Sequence, residues 1–136
     1  MLKQTKRKAK DFIEQLNGSI SFIKGNHDQN NSLNTKIISL VVILDNQEIF
    51  CVHDPQDYSS SYSLNLVGHV HEKWKIRKIY NTFLVNVGVD VWNFHPINIQ
   101  EITKALNQFT SSKEVHKMKT LKGRGEKIVS VSTEPK

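Results

Sequence analysis

The chain has 136 residues, enough for one domain with a core of its own. Apolar residues make up 38% and charged residues 24%, a balance that excludes a disordered or membrane-embedded class, and no apolar run approaches the ~20 residues that cross a bilayer. The net charge of +6 is concentrated at the ends, because residues 1–10 hold five Lys/Arg and no acid, residues 111–136 hold seven against three acids, and the stretch between them is mildly acidic. The basic start leads into Asp11-Phe12-Ile13-Glu14 without the apolar centre of a secretory signal, so a cytoplasmic location is the expectation. Cys51 is the single cysteine, which excludes an internal disulfide and a thiolate zinc cluster; its place in Ile49-Phe50-Cys51-Val52 predicts burial.

Ala9, Phe12, Ile13 and Leu16 fall on one helical stripe ahead of Gly18, predicting a first helix over about 3–17. Residues 20–24 are apolar and β-rich and predict a strand that delivers Gly25-Asn26-His27-Asp28 to a loop. The segments 37–44 and 48–53 flank Asp45-Asn46-Gln47 and predict a hairpin, with His53 at its exit. Residues 54–63 are rich in Pro, Ser and Tyr and read as a loop before a short strand, 64–67, that ends in Gly68-His69-Val70-His71. The stretches 74–79 and 83–87 predict a second hairpin. Asn98 and Glu101 form a capping-box pair ahead of Ile99, Ile102, Leu106 and Phe109, predicting a helix over 99–109. Residues 110–136 lack a sustained apolar face and predict a flexible basic tail.

Loops bearing Asn26 and His27, His53, and His69 with His71 thus leave three predicted strands, the way α/β folds gather polar side chains at one edge of a sheet. Imidazoles with amide or carboxylate oxygens suit Mn, Fe or Zn, and such ions serve phosphoester hydrolysis by polarising phosphate and supplying hydroxide. His69 and His71 alone are a weak signal, since residues at i and i+2 of any extended segment share a side and are often only surface residues.

Taken together, Gly25-Asn26-His27-Asp28, His53-Asp54-Pro55 and Gly68-His69-Val70-His71 resemble the calcineurin-like metallophosphoesterases. The stretch Asn86-Val87-Gly88-Val89-Asp90-Val91-Trp92-Asn93-Phe94 with Pro96 extends the likeness to a small bacterial and phage branch, over about residues 12–107. The resemblance implies an αββα sandwich, present in part, with a truncated phosphoesterase domain at 1–109 and the basic tail at 110–136. It implies that Asn26, His53 and His69 hold a second metal, that His71 holds the first, that His27 is the catalytic histidine assisting the leaving group, and that Asp28 orients it. The metals implied are divalent, Mn first, with Fe, Zn or Ni as alternatives, and the reaction is hydrolysis of phosphate mono- or diesters by metal-activated hydroxide. The family's Asp-x-His and Gly-Asp motifs, which supply the other first-metal ligands, do not occur in the chain. A complete binuclear site is therefore expected to need a separately encoded N-terminal piece, and the sheet is expected to expose an edge prone to self-association.

A second reading is a non-catalytic remnant that binds nucleic acid through its basic ends. Singly, Asn26 reads as a turn residue and His27 as a loop residue, His95 and His116 as surface or packing positions, and Trp74, Trp92 and Phe94 as core aromatics rather than base-stacking ones.

Overall fold

The structure, a computed structural model, describes residues 8–27 and 35–124, with side chains described through Lys113. Asp28 and the tail beyond Arg124 lie outside the described residues.

The first predicted hairpin forms from β1 (Ser39–Leu44) and β2 (Gln47–Val52), paired from Leu44 with Gln47 to Ser39 with Val52. Asp45 and Asn46 turn the chain with φ of 50° and 62°. These are the left-handed angles that a tight two-residue hairpin needs, and Asp and Asn tolerate them better than most residues. The loop after β2 contains a 3₁₀ turn at Pro55–Asp57, started by the Asp54 carboxylate accepting from Gln56 N–H at 2.9 Å. It leads to β3 (Leu64–Val67), which lies parallel to β2. The second hairpin is β4 (Ile76–Ile79) with β5 (Thr82–Asn86), and β5 runs parallel to β3. The strand order is β1-β2-β3-β5-β4 in one five-stranded sheet. Its parallel centre brings the carboxyl ends of β2, β3 and β5 to the same edge, where open α/β sheets collect their ligand-binding loops.

The final helix, α2 (Ile99–Arg124), covers one face of the sheet by packing Ile102 and Ala105 against Ile49, Cys51, Leu64, Val85 and Trp92. Its predicted capping box is present: Glu101 N–H donates to Asn98 Oδ1 at 2.9 Å, and Asn98 N–H to Glu101 Oε2 at 2.8 Å. The opposite face carries a smaller cluster of Val52, Val67 and Leu84, backed by Phe50, Tyr58, Trp74 and Ile79. The alternation of strand side chains explains the division, since Ile49 and Cys51 point one way and Phe50 and Val52 the other. The mixed α/β class follows from the sequence pattern, and the described residues contain this single sheet. The outer strand β1 leaves Ile43 68% exposed, as expected of an uncovered edge. No helix among the described residues is long and apolar enough to cross a membrane.

Three expectations are corrected. The first helix, α1, spans only Ala9–Ile13 among the described residues, and the chain then tightens into i to i+3 bonds from Gln15 to Phe12 and from Leu16 to Ile13. Phe12 and Leu16 are more than half exposed, and a helix this short depends on packing to persist; residues 3–7 of the expected helix lie outside the described residues. Residues 20–24 are extended but form no ladder; Lys24 N–H donates to Ile37 O at 2.7 Å, and Thr35 Oγ1 donates to Phe22 O at 2.6 Å. The tail assigned to 110 onward continues as helix to Arg124. Its Lys, Glu, Met and Leu residues are good helix formers, and a helix already nucleated and packed at 99–109 propagates without an apolar face.

Candidate metal centre

His53 is the first residue beyond β2 and His69 the second beyond β3, and the two strand ends are tied together by Gly68 N–H donating to His53 O at 2.9 Å. His69 then turns sharply. Its φ is 69° and Val70 N–H donates to Gly68 O at 2.8 Å, a three-residue turn of the left-handed kind that is rare and strained for a residue with a side chain. Asn26 arrives from the segment before β1 and closes the group. Asn26 Oδ1 lies 2.8 Å from His53 Nε2 and 3.2 Å from His69 Nδ1, and the two ring nitrogens lie 3.2 Å apart. The rings meet edge to face, with centroids 5.1 Å apart and planes at 76°.

Hydrogen bonding fits this triangle only in a crowded way. Each ring nitrogen has one in-plane position, filled by a proton or by a lone pair, and an amide oxygen only accepts. If both imidazoles donate to Asn26 Oδ1, no proton lies between the two nitrogens. If one of them donates to the other, an oxygen–nitrogen edge is left with two facing lone pairs or one proton shared off-axis. A cation held by all three atoms as donors would fit the same spacing. Donors bound at about 2.1 Å from one ion sit about 3.0 Å apart when they are at right angles, and the three edges of 2.8, 3.2 and 3.2 Å bracket that value. Two imidazoles and an amide oxygen suit Mn, Fe or Zn. Among the described residues no group of three or more His, Cys, Asp or Glu side chains converges; the third donor here is an amide.

His71 stands apart from the triangle. Its φ of 49° also lies in the left-handed region, and its Nδ1 meets Asp90 Oδ2 at 3.4 Å, with 71% of the side chain exposed. His27 is exposed in the same turn as Asn26, whereas its expected partner Asp28 lies outside the described residues. Beside the triangle is an open cleft of about 310 Å³ lined by Lys24, Asn26, Val52, His53, Asp54 and Asp57. A larger cleft of about 560 Å³, lined by Asp45, Thr103, Lys104 and Asn107, lies by the β1–β2 turn at the opposite end of β2 from His53.

Two residues that hold these loops were not singled out from the sequence. Asn86 is fully buried at the end of β5; its amide donates to His71 O at 2.7 Å and to Trp74 O at 2.9 Å, and its Oδ1 accepts from Gly88 N–H at 2.9 Å. It thereby staples the His71 turn to the loop that carries Asp90. Asn65, also fully buried, holds the 58–63 loop by accepting from Ser59 N–H at 2.8 Å and donating to Ser59 O at 3.0 Å. The available signal was a polar residue interrupting an apolar strand, in Leu64-Asn65-Leu66 and in Val85-Asn86-Val87. Beneath the site, Cys51 is buried in the core as expected, and burial pushes its thiol pKa up.

In sequence, the chain is 31% identical over 115 residues to an uncharacterized protein of Methanocaldococcus jannaschii, a match covering 78% of this chain and 60% of that protein. The chain thus spans less than two thirds of the length of the curated relative it matches. No family model matches the chain, and no solved structure matches it.

Proposed function

We propose that this chain carries one half of the active site of a calcineurin-like metallophosphoesterase, with its sheet forming one layer of an αββα sandwich. The observation that carries the reading is the close triangle of Asn26 Oδ1, His53 Nε2 and His69 Nδ1, with edges of 2.8, 3.2 and 3.2 Å. Supporting it are the chain order of the motifs, the parallel strand ends that present His53 and His69, and the strained turn at His69, since backbone strain of this kind collects at functional sites. In this reading Asn26, His53 and His69 hold one divalent ion, and His71 is a ligand of a second. The remaining donors come from polypeptide beyond these 136 residues.

Divalent ions at such a site supply Lewis-acid polarisation of a phosphoryl oxygen and an activated nucleophile. In this reading His27, which follows a ligand directly and is exposed in the same turn, delivers a proton to the leaving oxygen. Asn86 and Asp90 set the position of His71.

The test is calorimetric titration of Mn into the chain, followed by hydrolysis of an aryl phosphodiester by the protein extended upstream. One Mn bound with an affinity that His53→Ala abolishes is the expected result, with His27→Ala lowering turnover but leaving Mn binding intact. Absence of binding by Mn, Fe and Zn alike, or binding indifferent to His53 and His69, would sink the reading.

A further inference from the structure

The loop leaving β5 presents an aromatic ring that the core does not use. Trp92 packs as expected: it is 8% exposed, and its Nε1–H donates to Asn86 O at 2.7 Å. Trp74 backs the smaller apolar cluster. Phe94 differs from both, being 78% exposed. It also follows Asn93 in a pair of consecutive left-handed residues, with φ of 53° and 58°. A bulky residue in that region is strained, and a ring held in water forfeits its burial, so two unfavourable choices coincide at one position.

What surrounds Phe94 gives the choices a purpose. Phe94 N–H donates to Val89 O at 2.9 Å, folding the loop back beside the 3₁₀ turn Val89–Val91, whose Asp90 meets His71 at 3.4 Å. Lys75 Nζ sits 3.9 Å from the centroid of the Trp92 ring, which holds an ammonium against the same loop. Lys73 is exposed in the turn after His71, with its N–H donating to Val70 O at 3.1 Å. The His71 flank therefore carries an exposed ring on one loop and two ammonium groups on the next, beside the carboxylates of Glu72 and Asp90. Stacking surface together with phosphate-neutralising charge is the chemistry that recognises a nucleobase joined to phosphate.

We propose that the loop at 88–97, with Lys73 and Lys75, is a recognition face for nucleobase-bearing phosphate esters, Phe94 stacking on the base and the lysines neutralising the adjoining phosphates. The proposal rests on the phosphoesterase reading for the reaction that follows binding; the binding itself needs no metal. Tyr80 provides an internal control. It is 81% exposed and left-handed too, but it lies in the β4–β5 turn, at the far end of β5 from Asn86.

The test is fluorescence anisotropy of the whole chain with a short fluorescein-labelled oligothymidylate in the presence of a chelator, competed by thymidine monophosphate and by tripolyphosphate. Phe94→Ala is expected to weaken binding roughly tenfold or more, within the range that one stacked base supplies. Phe94→Trp should stay within about twofold of wild type, and Tyr80→Ala should change nothing. Replacing Lys73 and Lys75 by Gln should weaken binding and flatten its salt dependence. Effective competition by the mononucleotide marks a free nucleotide as the natural ligand, competition by the oligonucleotide alone marks a single strand, and either supports the proposal. Binding indifferent to Phe94→Ala, displacement by tripolyphosphate equal to that by base-bearing ligands, or no binding at all overturns it. Phe94→Gly guards the interpretation: a melt unchanged or raised fits an unpacked ring, and a lowered melt shows that the ring is structural and overturns the proposal. Mn titration of the same protein separates the two readings. Mn bound through His53 together with Phe94-independent oligonucleotide binding defeats only this proposal; Phe94-dependent binding without any Mn site defeats only the phosphoesterase reading.

Discussion

His69 and His71 are separated by one residue and end in different company. His69 joins Asn26 and His53 in a group whose polar atoms crowd within 3.2 Å, whereas His71 turns to Asp90 on the neighbouring loop. In an extended segment the two side chains would share one side; here both residues have positive φ, and the turn at His69 sends them apart. One group of polar atoms is assembled wholly from this chain. The other is a single imidazole held by Asp90 and, through its backbone, by Asn86.

The sharpest way to break that contrast is to remove one donor from each side. His53→Ala or His69→Ala should lower Mn affinity by about 100-fold or more, beyond the 10–100-fold range of outer-shell losses, while His71→Ala stays under about tenfold. Equal losses in equilibrium dialysis would show that the two histidines serve one site.

Asn86 supports the His71 side from below. Asn86→Ala leaves two carbonyls and an amide N–H without their partners in a buried setting, and should cost about 3 kcal/mol in urea unfolding. Asn98→Ala, at the start of α2 and remote from both groups, should cost about 1 kcal/mol as the loss of a cap. Comparable losses from the two would mean that Asn86 is not the staple described above.

Cys51 reports on the core beneath both groups. Because burial raises its thiol pKa, the neutral thiol is favoured in the folded chain. Stability from this group is present at neutral pH and declines in alkaline solution, where the unfolded thiol ionises first. Alkylation at mildly alkaline pH should accordingly be much slower in the native chain than in urea, and fast native labelling would mean that the α2 face opens readily. The smallest effect belongs to Asp90→Ala, which should leave Mn binding by the Asn26 group within about twofold of wild type, since among the described residues Asp90 meets His71 rather than that group.

Much of this architecture was legible before any coordinates. The turn chemistry of Asp45-Asn46-Gln47 between two apolar segments marked the first hairpin, and Asn98 with Glu101 marked the start of α2, because both signals are local and rest on backbone chemistry carried by a few adjacent residues. Boundaries that depend on distant cover were not legible. The stripe of Phe12 and Leu16 looked like a long helix, but an apolar stripe says nothing about how deeply it becomes buried. Residues 20–24 looked like a strand for the same reason, and their ladder is not formed.

For the site, residue identity was available from the sequence and arrangement was not. Asn26, His53 and His69 stood out by residue type and by the glycines preceding two of the motifs. The separation of His69 from His71, the staple at Asn86 and the bare ring of Phe94 came only from the fold. Composition and local order determine which donors and caps a chain has to offer. Which of them meet depends on strand register and on backbone angles in the loops, where parallel β2, β3 and β5 set their ends side by side and left-handed turns at His69, His71 and Phe94 aim the side chains. Those angles are held by tertiary hydrogen bonds, such as Gly68 N–H to His53 O and Asn86 to His71 O, that link residues far apart in the sequence.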